Sequence, residues 1–167
     1  RTHQPKHLLR LLTDRPLLAE TVSRLQGLCP PENLFVLTNA QQRQACLDAL
    51  PSLPAGQVVV EPAKRDTAPA AALATALARS RLNDPVCLLL PADATIHDVE
   101  SLRRNLQDAA DLAASTSALI TLGIRPAFAS TAFGYLQIEP EETRLAGGSL
   151  ARRVQRFVEK PDPDTAE

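Results

Sequence analysis

Tryptophan and methionine are absent from these 167 residues, and aromatic residues make up only 3% of them. A core without large rings has to be built from leucine, alanine and valine. Because position 1 is not methionine, the first residue is not expected to be the natural start. An excess of one charge is also lacking: 18 Lys and Arg face 19 Asp and Glu, for a net charge of −1. That balance excludes the strongly basic footprint that duplex DNA or RNA requires, so no nucleic-acid partner is expected, although a local cluster of cations can still hold a small anion. There is no apolar run of eighteen residues and no early segment of signal type, so no membrane partner is expected and a soluble, cytoplasmic protein is the default. Cys29, Cys46 and Cys87 form an odd set without close spacing, which reads as free thiols in a reducing compartment. They have no metal-ligand spacing with His3, His7 or His97. A Gly-x-Ser-x-Gly elbow, a Walker loop and a complete dinucleotide fingerprint are all missing.

What is present is a folding composition, 44% hydrophobic and 22% charged, in a length that suits one domain or a piece of a larger one. "TDRPLLAETVSRLQGLC" predicts a helix capped by Thr13 or Asp14, with Leu18, Val22 and Leu25 on one face. "NLFVLTN" (33–39) and "GQVVVEP" (56–62) predict buried strands flanking a short helix over 40–50. "DTAPAAALATALARSR" (66–81) predicts a helix with Asp66 or Thr67 as cap, Pro69 in its first turn and alanines packed on a sheet. "PVCLLLP" (85–91) is apolar throughout, as a strand buried on both faces would be, and "SALITLGIRP" (117–126) predicts a further strand. Between them, 98–115 predicts a helix capped by Asp98 with Leu102, Leu106, Ala109 and Ala113 on one side. This alternation predicts an α/β fold, a Rossmann-like, mostly parallel sheet with helices on both faces. After residue 126, "FGYLQIEP" (133–140) and "ARRVQRFVEKPD" (151–162) predict an antiparallel pair joined by a turn-rich segment containing Gly147 and Gly148. No element is expected in "KPDPDTAE".

Candidate sites fall at strand ends. "EPAKRDTAP" (61–69) links a strand to a helix, where helix N–H groups attract anions and Lys64 and Arg65 can hold phosphate oxygens; Glu61 can accept hydrogen bonds from a base edge such as that of guanine. The alternative is an ordinary wet loop with Asp66 as a cap. In "LLLPADATIHD", Pro91 marks where the chain leaves the sheet, and Asp93 beyond it is either a Mg²⁺ ligand or a simple turn residue. In "FVEKP", Lys160 can pair with a phosphate and Glu159 with sugar hydroxyls; a charged surface strand end is the other reading. Gly134 lets a ligand or another strand come close to the backbone.

Taken in order, "PKHLLRLL" (5–12), "ENLFVLTNAQQR" (32–43), "VVVEPAKRDTAPAAALA" (58–74), "LLLPADATI" (88–96), "ITLGIRP" (120–126), "TAFGYLQI" (131–138) and "RFVEKPD" (156–162) resemble the sugar-1-phosphate nucleotidyltransferases, and among them the mannose-1-phosphate guanylyltransferases. The resemblance spans nearly the whole chain and implies transfer of GMP from GTP to mannose 1-phosphate, with Mg²⁺ as cofactor and a homo-oligomer possible. It implies that Lys6 stabilises the triphosphate, that Glu61, Arg65, Asp66 and Thr67 hold the nucleotide, and that Asp93 binds the metal. Gly134, Glu159 and Lys160 would meet the sugar phosphate. The family's glycine-rich loop, G-G-x-G-T-R-L, and its first strand are not among these residues, nor is its second metal-binding aspartate, so residues 1–167 are expected to be a partial nucleotidyltransferase domain. The family also has His in place of Ala94, Asn in place of Asp66 and Gly-Tyr in place of Ala132–Phe133. These departures leave open a binding module without turnover, or a purely structural α/β domain.

Overall fold

The computed structural model describes residues 5–11, 13–63 and 65–167. They divide into two compact units, with the boundary after Arg103.

In the first unit, a single 3-10 turn (Lys6–Leu8) precedes α1 (Leu17–Arg24), β1 (Val36–Thr38), α2 (Arg43–Ala49), β2 (Val58–Val60) and α3 (Thr67–Arg79). β1 and β2 pair in parallel, Val36 with Val58 and Thr38 with Val60, and α2 makes the crossover that a parallel pair requires. The core is aliphatic, as the composition demands: Leu8, Leu18, Ala19, Leu34, Val36, Leu50, Leu53 and Val58 pack around Cys46, which is 1% exposed. Arg43 ties α2 to the second strand by donating to the carbonyls of Val58 (3.3 Å) and Ala55 (3.0 Å). All three cysteines are free thiols. Burial pushes the Cys46 thiol up from its ordinary value, and a hydrogen bond with Thr38 opposes that shift.

α4 (Val99–Thr116) crosses the boundary between the units. Asp98 caps it as expected, accepting from the Ser101 N–H at 2.9 Å. The second unit then forms an antiparallel hairpin of β3 (Gly134–Arg144) and β4 (Leu150–Glu159), closed by α5 (Pro163–Ala166). Pro140 lies inside β3 where the register breaks between Ile138 and Glu142; without an N–H it cannot join the ladder, and a bulge accommodates it. The turn follows at 145–149, with Gly148 at φ 96°.

Several sequence expectations need correction. Residues 85–91 and 117–126 form no strand, and Leu89 is 56% exposed. Apolar composition shows which residues seek burial, but a strand also needs a hydrogen-bonded neighbour, and none pairs with these segments among the described residues. Among the described residues the sheet content is therefore one parallel pair and one antiparallel pair, a mixed α/β architecture and not one mostly parallel sheet. No residue of α3 is fully buried, but Ala70, Ala71, Leu73, Ala74, Leu77 and Ala78 are half-buried along one side, so the helix is covered in part. α1 begins after Pro16, and Thr13 donates to Glu20 (2.6 Å) in place of capping. β3 runs beyond Pro140 to Arg144, and the terminal "KPDPDTAE" contains α5, because Asp162 accepts from the Thr165 N–H at 2.8 Å with Pro163 in the first turn.

Candidate functional site

Lys6 is exposed on a 3-10 turn that Leu8 anchors by burying its side chain in the core. Next to it, the half-buried His7 ring places Nε2 3.9 Å from Cys46 Sγ, whose thiol in turn approaches Thr38 Oγ1 at 3.7 Å. Burial lowers the His7 pKa, and the Asp93 carboxylate, close enough to act on the ring, pulls it back up. The Asp93 charge therefore acts on the residue next to Lys6. The Asp93 side chain is exposed and makes no salt bridge among the described residues, while the preceding Ala92 packs on the core.

The loop that carries Asp93 is held from α1. Arg24, only 7% exposed, donates from Nη1 to the carbonyl of Ala94 at 2.9 Å. Arg103 closes the connection by donating from Nε to the Arg24 carbonyl (2.8 Å) and from Nη2 to that of Ser23 (3.3 Å). These are carbonyls of the last turn of α1, and that of Ser23 also accepts from the Gln26 N–H at 3.3 Å. Neither arginine stands out in the sequence: each sits in an ordinary amphipathic helix, and the contacts lie 70 and 79 positions away.

Glu61, Arg65, Asp66 and Thr67 stand on the separate connection from β2 to α3. The Glu61 N–H donates to the Thr38 carbonyl at 2.8 Å, extending the parallel ladder one step and fixing a half-buried side chain at the carboxyl end of β2. Arg65, Asp66 and Thr67 are exposed. Asp66 occupies the N-cap position of α3, but its side chain makes no capping hydrogen bond, and its backbone sits at φ 59°, ψ −162°. That region is essentially glycine's, so the residue is strained. No hydrogen bond or salt bridge joins this group to Lys6 or Asp93 among the described residues. Lys64 lies outside the described residues, as does His3.

In the second unit, Gly134, Glu159 and Lys160 are brought together at one end of the hairpin. Gly134 pairs with Glu159, and the Lys160 N–H donates to the Phe133 carbonyl at 3.1 Å, one step beyond the ladder. Lys160 Nζ lies 3.6 Å from Glu159 Oε1, with both side chains largely exposed. The Lys160 backbone is at φ 47°, a left-handed conformation that turns the chain sharply into Pro161. A Cβ at Gly134 would come within 2.5 Å of Phe157 Cζ and 2.8 Å of Glu159 Oε2, so the missing side chain leaves room for the Glu159 carboxylate.

A donor set for a metal can be tested on the same geometry. Among the described residues no three His, Cys, Asp or Glu side chains gather to hold an ion. One exposed carboxylate, Asp93, does not make a protein cage, but it fits Mg²⁺, which keeps several waters and takes further ligands from phosphates. No described helix is long and apolar enough to cross a membrane.

The nucleotidyl transferase family model matches residues 2–167. The chain is 35% identical over 169 residues to Mannose-1-phosphate guanylyltransferase 2 of Escherichia coli O157:H7, covering 98% of this chain and 35% of that protein. It is 37% identical over 169 residues to Mannose-1-phosphate guanylyltransferase ManC of Salmonella typhimurium, covering 98% and 34%, and 33% identical over 165 residues to Xanthan biosynthesis protein XanB of Xanthomonas campestris pv. campestris, covering 98% and 33%. The chain thus spans about a third of the length of these relatives. Among solved structures, a mannose-6-phosphate isomerase from Helicobacter pylori is similar in fold, with a TM-score of 0.73 at 24% identity over 97% of this chain and 59% of that one.

Proposed function

Because this chain belongs to the nucleotidyl transferase family, we propose that it carries substrate-binding residues of an enzyme that transfers GMP from GTP to mannose 1-phosphate. The reaction forms a bond from a phosphate oxygen of mannose 1-phosphate to the α-phosphorus of GTP and breaks the bond to pyrophosphate. The attacking oxygen is already anionic, so no general base is needed; alignment and charge neutralisation do the work. Lys6 supplies positive charge to the triphosphate. Arg65 and the first turn of α3 bind nucleotide oxygens, and Glu61 accepts hydrogen bonds from the guanine edge. Lys160 pairs with the sugar phosphate, and Glu159, held beside it, accepts from sugar hydroxyls. Asp93 is the residue that would hold Mg²⁺, which when bound supplies further neutralisation of phosphate charge.

The observation that carries this reading is the meeting of Gly134, Glu159 and Lys160 at one hairpin end, since a sugar-phosphate site needs a cation, a hydroxyl acceptor and close backbone approach at one place. The test is Asp93→Asn in the full-length protein. Pyrophosphate release should fall on the order of 10²-fold, as for other single groups that stabilise developing charge. Circular dichroism should be unchanged, because the Asp93 side chain is exposed. An unaltered rate would reject Asp93 as the metal ligand.

A second reading, a binding module without turnover, is favoured by one observation: Asp66 stands at the start of α3, where its negative charge would oppose bound phosphate. Calorimetry on the full-length protein separates the two readings. GTP binding without pyrophosphate release supports the module, and binding with release supports the enzyme.

A further inference from the structure

We infer that Arg24 is a positioning residue for the Asp93 loop, its buried guanidinium holding the Ala94 carbonyl and so fixing how Asp93 leaves the core. The inference rests on the reading of Asp93 as the metal-binding carboxylate. A guanidinium cannot shed its proton, so burying one is costly unless its N–H groups are bonded. Arg24 has no carboxylate partner among the described residues; Nη1 donates to the Ala94 carbonyl at 2.9 Å and reaches Thr21 Oγ1 at 3.5 Å. Thr21 donates its own proton to the Leu17 carbonyl at 3.0 Å, which leaves its oxygen free to accept. The buried charge is therefore directed at a loop carbonyl, and charge-assisted bonds of this kind are about twice as strong as neutral ones.

The placement of that carbonyl gives the bond its consequence. Asp93 stands between Ala92, which packs on the core, and Ala94, which Arg24 holds, so the backbone is fixed on both sides of an exposed carboxylate. No other hydrogen bond ties residues 91–97 to a neighbouring element among the described residues. Beyond the loop, Arg103 returns to the Arg24 carbonyl, so one residue of α1 holds the loop through its side chain and the start of α4 through its backbone. Without Arg24 the Ala94 carbonyl loses its partner, and Asp93 keeps its identity but not its direction.

The experiment compares R24M, R24K and D93N in the full-length protein. Mn²⁺ affinity in the presence of GTP is measured by electron paramagnetic resonance, alongside kcat for pyrophosphate release and the thermal midpoint. R24M should weaken Mn²⁺ binding and lower kcat by about 10-fold each, the scale on which residues behind a metal ligand act. R24K, which keeps the charge and one donor, should recover part of both. An R24M protein that melts earlier but binds Mn²⁺ and turns over as the wild type does would show that Arg24 only stabilises the fold, and the inference would be overturned. Should R24M not fold, R24K decides on the same terms, with weakened Mn²⁺ binding expected and wild-type binding overturning the inference. If D93N itself leaves Mn²⁺ affinity intact, the reading of Asp93 falls, and the inference with it. If D93N weakens the affinity and the Arg24 variants do not, only the inference falls.

Discussion

At Asp66 two physical demands conflict. The residue stands at the N-cap of α3, where a short polar side chain ordinarily accepts from the helix amides, yet it makes no such bond. Its backbone is held at φ 59°, ψ −162°, at a cost of about 1–3 kcal/mol for a residue other than glycine. The first-turn amides therefore receive no bond from this side chain, and its negative charge would oppose a phosphate that approached them. Asp66→Asn removes the negative charge and keeps nearly the same shape at the same position. GTP should then bind about two- to fivefold more tightly, from ~0.3–1 kcal/mol of charge interaction at a helix terminus. Isothermal titration of the full-length protein would measure this, and unchanged or weaker binding would count against phosphates at this helix start. The position of Asp66 was legible in the sequence, because a cap residue before Thr67 and Pro69 is a local signal. Its backbone conformation was not, and neither was Arg24, whose partner Ala94 is 70 positions away.

Among the elements, the hairpin turn shows how a local weakness is compensated. Gly147 and Gly148 make the 145–149 turn permissive, and Asp108 on α4 secures it. Its carboxylate accepts from the Gly147 N–H at 2.7 Å and the Ser149 N–H at 2.9 Å. Ser149, through its hydroxyl and its backbone N–H, with Gly147 adding to it, holds the Asp108 pKa below the ordinary aspartate value against the opposing effect of burial. A depressed carboxylate contributes stability that is fully present above the unfolded-state pKa and is lost as pH falls through the folded-state pKa. The advantage of wild type over Asp108→Asn in denaturant unfolding should therefore hold constant at neutral pH and shrink as pH drops below the ordinary aspartate range. Hydrogen exchange at Gly147 and Ser149 should show the same trend, and a difference independent of pH would reject this role. The glycine turn and the two strands were readable from alternation and breaker residues. The Asp108 latch was not, because it joins residues 39 and 41 positions apart. Residues 85–91 failed for a related reason: three leucines between prolines give composition, whereas a strand is defined by a partner.

For the molecule as a whole, the candidate residues fall into two sets in two units, nucleotide residues before Arg103 and sugar-phosphate residues after it. Each set carries few charges of the required sign. Lys6, Lys64 and Arg65 are the candidate cations for a triphosphate, and Asp93 is a single carboxylate where the family resemblance expects two. Single electrostatic contributions to a charged transition state are worth on the order of 10²–10³-fold each, so a partial set forfeits most of the rate. The chain spans about a third of the length of these relatives. Exposed apolar residues occur in both units: Leu89 in the first, Leu119 and Ile124 in the second, all in segments that form no strand. The 167-residue chain on its own should therefore yield no GDP-mannose above background when supplied with GTP, mannose 1-phosphate and Mg²⁺, while the full-length protein should release pyrophosphate under the same conditions. Chromatographic detection of GDP-mannose from the short chain at the full-length rate would show that Lys6, Asp93 and Lys160 with their neighbours suffice for turnover, and that the transition state needs fewer charges than this argument assigns to it.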